Sequence, residues 1–181
     1  MRQRILRVVA AGAPTAFSVF SVCVLLAVFA CSVAVGTAGA QGYPDLAVRG
    51  ITVTPARAYV GDTVRITVLL RNLGAFGDQV DVFPRILANG KKVASQTFSF
   101  GDDPQETYTA TFQWNTSGAS PGQYSIQADF SYESDPTPDD NQLTLKTPLI
   151  LVAPGAPFPD GQPAGGTVKY TDPAEKEWWD R

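Results

Sequence analysis

Carboxylates recur in the turns of this chain: Asp45, Asp78, Asp102, Asp103, Glu133, Asp135, Asp139 and Asp140. Hard carboxylate oxygens, with loop carbonyls, are what calcium takes, roughly six to eight at a time. Asp135, Asp139 and Asp140 crowd into one short stretch and are the candidate calcium ligands. Their spacing matches no EF-hand or other ordered ligand motif, and aspartate also serves simply as a turn former that solubilises loops. Both readings stand at this level. Paired carboxylates can also hydrolyse glycosides, but no nucleophile, base and orienting group occur together, so the chain reads as a non-enzyme with no catalytic residue.

Other chemistry is thin. The 181 residues include no histidine, which removes the commonest general base and nitrogen ligand. Both cysteines, Cys23 and Cys31, lie in the apolar N-terminal segment, so the rest of the chain has no disulfide, thiolate zinc site or cysteine nucleophile. No cofactor is indicated beyond calcium. Net charge is −3. Residues 1–40 contain Arg2, Arg4 and Arg7 and no acid, so the remainder is more acidic than the whole. That balance argues against nucleic acid, which needs clustered lysine and arginine. Asn115-Thr116-Ser117 matches a glycosylation sequon and is read as coincidental.

The elements that would position the acids follow from hydropathy. Arg2, Arg4 and Arg7 precede an apolar run from Ala16 to Val35, and Ala38-Gly39-Ala40 follows as a small-residue cleavage signature. Residues 1–40 therefore read as a secretory signal peptide or membrane anchor. Cleavage after Ala40, an uncleaved membrane-anchoring helix and lipidation at Cys31 all remain open. In each case the remainder is expected to be extracytoplasmic, secreted or held at the cell surface, with the membrane touched through an uncleaved segment.

From residue 44 to 152 apolar residues alternate and turn signals recur about every ten residues, as in a sandwich or barrel. Val64, Ile66, Val68 and Leu70 share a face, as do Tyr108, Ala110, Phe112 and Trp114. The alternation shifts at Gly50, as at a bulge. Pro84 marks an edge or bulge, and Asn89-Gly90 signals a hairpin. The expected fold is all-β: a seven-stranded immunoglobulin-like β-sandwich, with Trp114 in its core. Alternate loops of an antiparallel order share an end, which gathers the acidic turns at one end. Residues 153–181 read as a Pro/Gly-rich linker and a flexible tail. Asp172-Pro173 is a helix start. The arm either presents Tyr170, Trp178 and Trp179 to a partner or membrane, since tryptophan favours binding hot spots and membrane interfaces, or folds back on its own sandwich or stays disordered.

Pro44-Asp45-Leu46, Val60-Gly61-Asp62-Thr63-Val64, Ala88-Asn89-Gly90-Lys91, Thr111-Phe112-Gln113-Trp114, Pro121-Gly122-Gln123-Tyr124 and Asp139-Asp140-Asn141 occur in that order. Together they resemble the CARDB domain, the cell adhesion related domain found in bacteria, over Asp45 to Val152. A fibronectin type III domain is the alternative of similar pattern. The resemblance implies a sandwich module of prokaryotic surface proteins. The implied function is protein–protein assembly or adhesion with a surface or secreted partner. The second reading is a carbohydrate- or calcium-binding module using the acidic loops, so that a glycan is the other partner class.

Overall fold

The computed structural model describes residues 43–74, 79–101 and 105–173. The expected N-terminal helix, Trp178 and Trp179 lie outside the described residues. The alternation of small and branched residues is realised as strands: β1 (Leu46–Thr54), β2 (Arg57–Tyr59), β3 (Thr63–Asn72), β4 (Val80–Val82), β5 (Arg85–Ala88), β6 (Lys91–Ser95), β7 (Phe98–Phe100), β8 (Thr107–Asn115), β9 (Gly122–Tyr124), β10 (Ile126–Asp129), β11 (Gln142–Thr144), β12 (Leu149–Val152) and β13 (Val168–Thr171). One sheet runs β13-β1-β3-β8; the others run β11-β10-β5-β6, β2-β12-β9 and β4-β7. A single core joins them. Val64, Ile66, Val68 and Leu70 are fully buried, and Trp114 is nearly so, with its ring edge-on to Tyr124.

The all-β sandwich is as expected, but the seven expected strands are subdivided. The third is interrupted at Phe83-Pro84, because proline cannot donate to a ladder. The sixth breaks at Ser125 and the seventh between Thr144 and Leu149. These breaks let short strands change partners, a common way to close sandwich corners. The Asn89-Gly90 turn joins β5 to β6 with both residues at positive φ, as a tight hairpin requires. Within the sequon, Asn115 Oδ1 accepts from Ser117 N at 2.9 Å, and the buried Thr116 hydroxyl donates to Asp62 O at 2.8 Å. These side chains therefore hold a turn.

The linker has no regular structure over most of residues 153–166, as expected, but it and the segment after it lie on the sandwich. Gly165 and Arg57 exchange backbone hydrogen bonds of 3.0 and 2.8 Å. Phe158 is buried with its ring 5.3 Å from that of Tyr59, and Val168–Thr171 pair antiparallel with β1 from Val53 back to Gly50. Proline and glycine exclude regular structure through most of the segment. They do not prevent its amides from bonding to β2, and the Val-Lys-Tyr-Thr run supplies an edge strand.

Truncation after Val152 is accordingly expected to remove about 3 kcal/mol or more of stability, through loss of Phe158 and β13. Truncation after Pro173 should leave stability nearly unchanged. Urea unfolding midpoints of the two shortened chains check this, and equal midpoints would show that the segment contributes nothing.

Candidate functional site

Asp45 precedes β1, while Asp135 and Asp140 lie on the 130–141 loop between β10 and β11. The loop is folded onto the start of β1 by polar contacts. Asp135 Oδ2 accepts from Leu46 N at 3.2 Å and its Oδ1 from Thr137 N at 2.9 Å. Thr137 in turn donates its hydroxyl to Asp45 Oδ1 at 2.6 Å. Pro138–Asp140 form a 3-10 turn, with Pro138 in the first turn, where a missing N–H is harmless. Gly74 closes the other side. A Cβ there would meet Tyr43 O at 2.8 Å and Asp45 N at 3.0 Å, so a larger residue would push the two segments apart.

One ligand atom from each of Asp45, Asp135 and Asp140 lies within 4.8 Å of the others. Asp135 is 9% exposed. Burial raises its pKa, the bonds from Thr137, Asn141 and Leu46 oppose that rise, and the Asp45 charge adds to it. Asp140 is raised from 3.8 to about 6, first by burial and then by Asp45 and Asp135, against the pull of Arg49. Arg49 is the extra residue of the bulge. β1–β3 register passes from Val48 to Gly50 across it, and a bulge re-aims a side chain. Its guanidinium bridges two acids, Asp140 at 3.2 Å and Asp172 at 2.8 Å.

The expected gathering of loops holds among the described residues. Leu73 N bonds Asp45 O at 2.5 Å and Gln105 Nε2 bonds Leu73 O at 2.9 Å, which brings the loop after β3 and the approach to β8 to the acidic end. Of the three candidate ligands, Asp135 and Asp140 come together, with Asp45 as their third. Asp139 is exposed and is not in that group. Glu133 is exposed, and Asp78, Asp102 and Asp103 lie outside the described residues. Asp45 was visible only as one acid of the wider end. Asn141 figured only as part of the Asp139-Asp140-Asn141 motif and Arg49 not at all, although the pattern shift at Gly50 is a signal that could have found it. Tyr170 lies on β13, partly buried, with Lys146 Nζ 4.4 Å from its ring centroid.

The charge on Asp140 has a pH consequence. A carboxyl whose folded pKa exceeds its unfolded value stabilises the fold fully below that unfolded value, and the contribution is lost as pH rises through the folded one. In chelator-treated protein, Asp140 therefore favours folding near pH 4 and ceases to do so above about 6. Asp135 acts in the same direction. Unfolding midpoints taken at about pH 5 and about pH 7.5 should fall with rising pH, and Asp140→Asn should flatten the fall. An equal fall in the variant would assign it to other groups.

The CARDB family profile matches residues 43–136, just over half of the chain. Among curated proteins, none matches. Solved structures of similar fold include the CARDB domain of a Pyrococcus furiosus protein in complex with di-metal ions, at 26% identity and TM-score 0.49, covering 61% of this chain and 96% of that one. A solution structure of the same domain gives 25% identity and TM-score 0.47, over 61% and 96%. A domain provisionally assigned to a cell surface protein of Methanosarcina acetivorans gives 20% and 0.47, over 61% and 93%. The profile match covers more than half of the chain, and the chain belongs to the CARDB family.

Proposed function

We propose that the chain is an extracytoplasmic, non-enzymatic interaction module that assembles with a surface or secreted protein. Membership of CARDB, a family of non-catalytic immunoglobulin-like domains, is the observation that carries this reading. The sequence adds a leader-like segment at residues 1–40. The geometry adds an anchored exit for the tail: β13 is zipped to β1 and Asp172 N bonds Arg49 O at 2.8 Å. The arm bearing Trp178 and Trp179 thus starts from a fixed point, which lowers the ordering cost of binding compared with a fully free linker. Tyr170, being on β13, supports the arm's root.

A glycan is the second reading. It is favoured by an open groove of ≈ 620 Å³ lined by Lys91, Lys92, Gln113, Asn115 and Tyr124, with the largely buried Trp114 also in its wall. Amides and cations around aromatic rings suit a polar ligand that also offers an apolar face. This surface is separate from the acidic loops named from the sequence.

Crosslinking in cells discriminates the readings. The full chain is compared with one ending at Pro173 and with a Trp178→Ala/Trp179→Ala chain. Loss of one specific surface partner in both shortened and substituted forms is the expected outcome. Retention of that partner in both would remove the tryptophans from the interface, and binding to a glycan panel abolished by Lys91→Ala/Lys92→Ala would favour the groove.

A further inference from the structure

The acidic cluster contains oxygen atoms that its own contacts leave unused. Asn141 is 4% exposed, and its Oδ1 has no hydrogen-bond partner. Its side chain nevertheless bonds to Asp135, which sets the amide beside the cluster. Asp140 Oδ1 is likewise buried and without a partner, while Oδ2 of the same carboxylate takes Arg49. A buried acceptor left unpaired is costly; one such oxygen on Asp140, itself one of three mutually close carboxylates, and another on the adjoining Asn141 favour a cationic occupant. Arg49 does not fill that role by itself, because its guanidinium is shared with Asp172.

From this geometry we propose that Asp45, Asp135, Asp140 and Asn141 bind a calcium ion, which ties the 130–141 loop to the start of β1. The ligand set is all hard oxygen: three carboxylates and one amide carbonyl. Both an approach segment and a loop contribute, and solvent completes the roughly six to eight positions that calcium fills. Magnesium suits the site less well. It demands near-octahedral geometry and gives up its waters reluctantly, whereas these ligands come from two chain segments of independent path. Arg49 retains Asp140 Oδ2, and the ion takes Oδ1. Asp139, adjacent in sequence but exposed, takes no part. The inference is independent of the partner reading above.

The test uses the full chain stripped with chelator. Calcium chloride is titrated by calorimetry and by the thermal midpoint, alongside Asp45→Asn, Asp140→Asn and Asp139→Asn chains and a magnesium chloride arm. The expected result is one saturable event with Kd of about 10⁻⁴–10⁻³ M, the range of extracellular calcium modules. Asp45→Asn and Asp140→Asn should weaken it about tenfold or more; Asp139→Asn should leave it unchanged. A midpoint that rises with calcium would accompany it, because a ligand binding only the native state stabilises that state. No heat and no midpoint shift up to about 10 mM calcium would overturn the proposal. So would equal affinity in the Asp45 and Asp140 variants, equal loss in the Asp139 variant, or tighter binding of magnesium. The metal-free midpoint of each variant shows that it is folded; if Asp45→Asn is not, Asp140→Asn decides.

Discussion

A carboxylate buried as deeply as that of Asp135 must be given donors or be neutralised, because an unpaired charge away from water is strongly disfavoured. Asp135 finds donors in Leu46 N, Thr137 N and the Asn141 side chain. They belong to two stretches of chain: the first residue of β1, and the middle and last residues of the 130–141 loop. To keep those bonds, the loop must lie against the beginning of β1. Asp45 and Asp140 are then brought within a few ångströms of Asp135 whether or not their charges favour it. The crowding of like charges at this end of the sandwich is thus a consequence of satisfying one buried group.

Arg49 decides how far that crowding is relieved. As the extra residue of a bulge it leaves the alternation of β1, and its guanidinium reaches Asp140 on one side and Asp172 on the other. The second partner follows β13, so the charge state of the acidic end and the root of the C-terminal arm share one cation. The arrangement couples two segments far apart in sequence through a single planar group, whose forked donors suit two carboxylates at once.

The alternation of β3 and β8 was legible because it is a local pattern. Val64 to Leu70 and Ala110 to Trp114 need only the two-residue period and a core to face. Asn89-Gly90 was legible for the same reason, since the turn's geometry demands residues that accept positive φ. The bulge at Gly50 showed as a broken alternation. What could not be read was non-local. β2 joins β12 in parallel because Pro55 ends β1 and the chain crosses to another sheet, and no local pattern specifies that partner. The tail's return along Arg57 rests on backbone groups of Gly165 and Gly166, on the Arg57 side chain's bonds to Pro163 O and Asp160, and on the buried Phe158, residues distant in sequence with no shared period. The acids show the same limit. Alternate-loop topology placed them at one end, but choosing Asp45 over Asp139 required the 3-10 turn that directs consecutive aspartates differently.

The sandwich has no cysteine beyond residue 31, so its loops are held without covalent crosslinks. A domain of this length buries enough apolar surface to fold without them, but hydrophobic burial is non-directional and does not specify where a long, polar loop rests. Here that task falls to hydrogen bonds: Asp135 for the 130–141 loop, Asn72 Oδ1 for Asp45 N and Gly74 N, and Thr116 for the turn at Gly61. Buried polar anchors differ from disulfides in one respect. They respond to protonation and to ligands that compete for the same oxygens, so the acidic end can change in stability while the aliphatic core beneath it does not.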